Sequence, residues 1–104
     1  MEAERALKRA LIFLEFDQLT LGETTLQQAV SLAEAEEDQE TLVAAMACLG
    51  DLLYSLERDE EAKQWIGKVW DYRDQRERFP EEIEMAEEFL TAWGILSPPP
   101  EEEP

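Results

Sequence analysis

The stretch Leu49-Gly50-Asp51-Leu52-Leu53, followed by Ala62, Ile66 and Val69, decides how this chain folds. Leu42, Met46, Leu49, Leu53 and Leu56 recur at steps of three and four, the period of one helical face. Ala62, Trp65, Ile66, Val69 and Trp70 repeat the pattern further on, and the polar Glu57-Arg58-Asp59 separates the two runs. Helices joined by so short a connection lie antiparallel. Gly50 and Ala62 are small residues among large apolar ones, twelve positions apart across the turn. Backbones approach closely only where side chains are small, so the spacing predicts a tight helix crossing at which Gly50 faces Ala62.

Working outward, the apolar periods predict five helices, over 2–19, 23–37, 39–56, 60–76 and 80–94, and thus an all-α chain of stacked antiparallel hairpins. Ala6, Leu7, Ala10, Leu11, Phe13 and Leu14 form the stripe of the first helix, and Ile12 and Phe16 widen it. Gly22 is expected to supply a positive φ to the first turn. Asp38 and Asp59 read as N-caps, because their carboxylates can accept from free amides of the first turn. Pro80 suits an opening turn, Glu81 and Glu82 complement its dipole, and Gly94 ends the last helix. Trp65, Trp70 and Trp93 stand at core spacing, although Trp70 and Tyr72 cannot both face inward. Residues 1–96 make one helical domain, and the composition of residues 97–104 predicts a disordered acidic and proline-rich tail.

The segment from Val43 to Arg76 resembles a tetratricopeptide repeat, whose signature is W-x2-L-G-x2-Y…A-x3-F…P. Leu49-Gly50 and Ala62 match it; Met46 stands at the Trp position, Leu53 at the Tyr, Ile66 at the Phe and Asp74 at the Pro. Ala29 precedes Ala62 by 33 residues, near that family's period, whereas the Leu-Gly pair is missing from the first hairpin. The resemblance implies one fair repeat, one degenerate repeat and a capping helix. It also implies a peptide-binding groove lined by the first helix of each hairpin, with Ala44, Ala47, Asp51, Tyr54 and Ser55 as its positions on the third helix. Arg5 and Arg9 of the first helix are expected to add a counter-charge. The family's carboxylate clamp uses Lys, Arg and Asn; here Asp51 repels a terminal carboxylate and favours a basic side chain.

The formal charge is −17, unevenly spread: residues 1–22 sum to −1, 23–57 to −8, 58–78 to zero and 79–104 to −8. All nine bases lie within residues 5–9 and 58–78, so no basic track is available to displace phosphate counterions. Nucleic acid and an acidic membrane surface are therefore poor partners, and a basic protein segment is a good one. No apolar run is long enough to cross a bilayer. The N-terminus lacks a secretory pattern, and the single Cys48 fits a reducing compartment, so the expected location is the cytoplasm.

Candidate chemistry is sparse. Histidine is absent, which removes the usual general base and metal ligand near neutral pH. Cys48 lies among apolar residues and reads as a packing residue. Cys48-Leu49-Gly50-Asp51 is similar to the second acidic motif of all-α nucleotide pyrophosphohydrolases of the MazG kind, but Cys48 occupies the place of the required glutamate. The glutamates of the last helix read as a solvated face. No catalytic residue, metal or cofactor is expected.

The expected function is a non-enzymatic protein–protein interaction module, an adaptor or small chaperone-like protein that takes a basic or amphipathic segment of a partner in a helix-lined groove. The alternatives are an acidic regulator, inhibitor or nucleic-acid mimic acting through its carboxylates, and a structural subunit that forms a homodimer.

Overall fold

Chain reversals in this protein fall twenty residues apart. In a computed structural model, which describes residues 1–97, Asp17, Glu37 and Glu57 adopt left-handed backbone with φ of 61°, 56° and 60°. After each, the next amide donates to the carbonyl five residues back: Gln18 to Phe13 at 2.8 Å, Asp38 to Ala33 at 2.9 Å and Arg58 to Leu53 at 2.9 Å. This closure satisfies carbonyls that a helix end would otherwise leave unpaired. Gly94, with φ of 79°, ends the last helix in the same way, as Ile95 donates to Leu90 at 2.9 Å.

These stops define five α-helices among the described residues: α1 (Glu2–Glu15), α2 (Leu19–Glu36), α3 (Gln39–Ser55), α4 (Asp59–Trp70) and α5 (Pro80–Ala92). A 3-10 turn over Arg73–Gln75 joins α4 to α5. The protein is all-α. Helices α1 and α2 pair antiparallel, with the Glu36 carboxylate at the end of α2 accepting from the amides of Glu2 (3.1 Å) and Ala3 (3.3 Å). That anion sits at the positive end of α1. Helices α3 and α4 form the second hairpin; α2 packs on α3, and α5 packs on α4 and α3.

Turns at 17 and 57 make the two hairpins superimposable in number with a shift of forty. Buried Ala3, Ala6 and Ala10 on α1 correspond to buried Val43, Met46 and Gly50 on α3. On the second helices, Gly22, Leu26 and Ala29 correspond to Ala62, Ile66 and Val69, again all buried. Gly22, not Ala29, is thus the counterpart of Ala62, and Ala10 is the counterpart of Gly50.

The close approach within each hairpin is made by glycine against a long side chain. A Cβ on Gly50 would overlap Ile66 Cδ1 and lie 2.7 Å from Cγ1, so the side chain that fills the space beside Gly50 is Ile66, and the expected partner Ala62 is fully buried in the same hairpin. In the first hairpin a Cβ on Gly22 would overlap Leu14 Cδ2 and lie 2.9 Å from Cγ. Gly22 therefore lies inside α2 and makes no turn. Asp17 takes the left-handed position expected of it, which shortens the first helix to residue 15 and starts the second at Leu19.

Other boundaries follow local chemistry. Asp38 caps α3 as its sequence predicts, accepting from the Thr41 amide at 3.1 Å and the Thr41 hydroxyl at 2.6 Å. Asp59 is the first residue of α4 rather than its cap, because Glu57 completes the preceding turn one residue earlier than expected. α4 stops at Trp70, short of residue 76, where the chain tightens into the 3-10 turn. Pro80 opens α5.

One core cluster draws on all five helices and is rich in alanine on the early ones. The tryptophans sit at its margin, half-buried: Lys68 lies 4.7 Å over Trp65, Arg73 5.7 Å over Trp70 and Lys63 5.8 Å over Trp93. Tyr72 is half-buried as well, edge-on to Phe79. The expected tail, apart from Ser97, lies outside the described residues.

Two substitution sets test this account by urea denaturation, read as a shifted midpoint at unchanged slope. Gly50→Ala loses about 1–3 kcal/mol through overpacking against Ile66. Gly67→Ala, whose Cβ would meet nothing within 4 Å, gains about 0.5–1 kcal/mol from helix propensity. Glu37→Gly and Glu57→Gly each gain about 1 kcal/mol, since glycine accepts the left-handed backbone without the Cβ clash.

Candidate functional site

The three-and-four spacing of Ala44, Cys48, Asp51 and Ser55 sets one stripe along α3. Across from it α1 presents Leu11 and Leu14, and the start of α2 presents Leu19. These three leucines, with Cys48, Asp51 and Ser55 of the stripe and with Leu52 and Leu56, enclose an open hollow of about 330 Å³ whose lining is mostly leucine. Leu11 is 45% and Leu19 37% exposed, an unusual display of large apolar side chains. Asp51 is exposed at the wall, and among the described residues no cation lies within 4 Å of its carboxylate. The Ser55 hydroxyl donates to the Asp51 carbonyl at 3.1 Å, so it is satisfied within its own helix.

Tyr54 belongs to a different depression. Its ring stands edge-on to Phe89, with centroids 5.0 Å apart, and tilted to Trp93 at 6.1 Å; Phe89 and Trp93 stack at 5.2 Å. These residues, with Glu88 and Ala92, line a second hollow between α3 and α5. Tyr54 thus helps hold α5 in place while 47% of it faces solvent.

The groove expected from sequence is therefore divided. Asp51 and Ser55 line the leucine hollow, Tyr54 joins the aromatic one, and Ala44 is half-buried and lines neither. Ala47 does not line a groove: it is 6% exposed and belongs to the core. Arg5 and Arg9 do not line it either. Both lie on the outer face of α1, about 120° around the helix from Leu11 in the case of Arg5, and Arg5 pairs with Glu2 at 3.4 Å. The residues that α1 does contribute, Leu11 and Leu14, are the forty-residue counterparts of Asp51 and Tyr54. Twenty-residue spacing of the acids at 17, 37 and 57 marks this register, but acidic residues carry no strong preference for left-handed backbone.

A larger, polar hollow of about 570 Å³ lies at the α2–α3 turn, lined by Glu34, Glu37, Asp38, Glu40, Tyr72 and Arg78 among others. Its cation is already engaged, since Arg78 donates to Gln39 Oε1 at 2.8 Å and Gln75 Oε1 at 2.9 Å and approaches Glu40 at 3.8 Å. Asp38 is committed to its cap. Two hydrogen bonds from Thr41 hold its carboxyl below the usual carboxylate value.

Reactive groups are few. Burial pushes the half-buried Cys48 thiol up, and the Asp51 and Glu82 carboxylates push it further, so it stays protonated and weakly nucleophilic. Among the described residues no group of three or more Cys, Asp or Glu side chains is placed to hold a metal ion, and no helix is long and apolar enough to cross a membrane. Arg58 forms the strongest surface fork, with Glu23 at 2.8 and 2.9 Å and Glu61 at 2.8 Å. It ties the start of α4 to the start of α2. Comparison with protein-family models, curated proteins and solved structures finds no match.

The Asp38 cap gives a pH-dependent prediction. Because its folded pKa is depressed, its contribution is present above the ordinary value of 3.8 and is lost as pH falls through the folded value. Asp38→Ala therefore costs about 1 kcal/mol at neutral pH, and urea titrations show the gap closing below pH 3.8.

Proposed function

We propose that the protein is a non-enzymatic interaction module that seats a basic, amphipathic helix or strand of a partner in the leucine hollow between α1 and α3. The observation that carries this reading is the hollow itself: exposed Leu11 and Leu19, with Leu14, Leu52 and Leu56 behind them, beside an Asp51 that has no ion-pair partner among the described residues. A complementary segment buries apolar side chains there and sets a Lys or Arg against Asp51. The charge of −17 draws such a segment in before contact, so association weakens as salt rises. The alternation of α1, α3 and α5 with α2 and α4 is in keeping with tetratricopeptide-like stacking, which we offer as the family reading. Its forty-residue spacing is longer than the 34 residues of that repeat. A reducing compartment such as the cytoplasm suits the lone Cys48.

A second reading rests on the exposed carboxylates of α5. Glu81, Glu84 and Glu88 face solvent, and an acidic regulator or nucleic-acid mimic would act through them. The two readings separate with one probe, a synthetic amphipathic Lys/Leu helical peptide followed by fluorescence anisotropy. Leu11→Glu with Asp51→Lys weakens binding at least about tenfold, while Glu84→Gln with Glu88→Gln leaves it nearly unchanged. The reverse ranking favours the acidic surface, and no dependence on either pair removes both. Tyr54 is left intact because its removal would also loosen α5.

A further inference from the structure

Helix α1 exposes the positions that α3 buries. Shifted by forty, Arg5, Arg9 and Ile12 of α1 and Phe16 at its end correspond to Ala45, Leu49 and Leu52 of α3 and Leu56 at its end. The first three of the α3 set are buried and Leu56 is half-buried, because the first hairpin packs against them. Leu52 and Leu56 lie beside Leu11, Leu14 and Leu19. Among the described residues nothing covers the same face of α1, and there Ile12 is 53% and Phe16 70% exposed. Two large apolar side chains thus stand on a stacking face that lacks its neighbour.

We propose that this face pairs with the same face of a second copy of the chain, the two α1 helices crossing antiparallel about a two-fold axis near residues 10 and 11. Charge along α1 supports this pairing. Arg5, Lys8 and Arg9 outnumber Glu2 and Glu4 in its first half, and Ile12, Glu15, Phe16 and Asp17 occupy or follow its second. A two-fold axis across the helix sets the basic half of one copy on the acidic and apolar half of the other. Arg5 then reaches Glu15 and the Phe16 ring, and Arg9 covers Ile12. The exposed Arg5–Glu2 pair, at 3.4 Å, competes little with that exchange.

Repulsion between copies selects the same face. Each chain carries −17, yet residues 1–22 sum to only −1. Residues 58–78 are neutral too, but Arg58, Lys63, Arg76 and Arg78 there are engaged by glutamates of the same chain. No exposed large aliphatic or aromatic side chain lies in that segment, whereas Ile12 and Phe16 stand exposed on the free face of α1 and its end. The leucine hollow opens on another side of α1, so the pairing leaves it available and stands independently of the proposed client.

Sedimentation velocity on the full chain, from low micromolar to near-millimolar concentration, tests the pairing. The expected result is a monomer giving way to a dimer, with more dimer at higher salt because the repulsion between copies is screened. Ile12→Glu with Phe16→Glu is expected to remain monomeric throughout with unchanged helicity, since both side chains are exposed. A wild-type chain that stays monomeric overturns the proposal, and so does a dimer that survives the double substitution. In a Cys48→Ala background, mild oxidation of mixed Arg9→Cys and Ile12→Cys chains should favour the mixed disulfide over either like pair. A dimer that forms without that preference overturns the antiparallel register.

Discussion

Everything in this fold rests on how closely two helix backbones approach where one of them lacks a Cβ. Ile66 fills the space beside Gly50, and Leu14 fills the space beside Gly22, so each hairpin is locked by a large side chain lying against a glycine. Interiors are packed near crystal density, and dispersion falls off quickly with a small gap. The alanines at 3, 6, 10, 29, 33, 45, 47 and 62 extend the same economy of volume along the contacts, and all are buried. With the helices so close, little interior space remains for indole rings. The three tryptophans are therefore half-buried at the rim, where Lys63, Lys68 and Arg73 lie over their faces.

Turn chemistry sets where these contacts recur. Asp17, Glu37 and Glu57 each bear a left-handed conformation that glycine would take more easily, and each is followed by the same amide-to-carbonyl closure. Twenty residues per helix and turn place Ala10 with Gly50, Gly22 with Ala62, and Leu26 with Ile66. The register also explains the leucine hollow. Where α3 carries Asp51, α1 carries Leu11, so the two alternate helices line a shared depression with different chemistry on each wall.

Charge is arranged around that architecture rather than through it. Most bases are spent on local pairs, and the Arg58 fork joins the starts of α2 and α4. Asp51 has no such partner among the described residues. An exposed carboxylate next to a patch of leucines is suited to a segment that brings both a base and apolar side chains. The face of α1 on the other side has the opposite character, with three bases in a chain of −17.

Sequence alone determined that the chain is all-α, that the described residues form five helices, that Asp38 caps α3, and that Pro80 and Gly94 bound α5. These are local matters, set by spacing and by side-chain chemistry within one turn. Tertiary structure decided which small residue meets which large one: Gly50 faces Ile66, and Gly22 lies within α2 against Leu14. It also turned Arg5 and Arg9 away from the hollow, buried Ala47 and gave Tyr54 to α5. A helical wheel gives the angle of a side chain but not the direction from which the neighbouring helix arrives. That direction depends on turns at acidic residues, where backbone strain is accepted because the packing on both sides over-determines it.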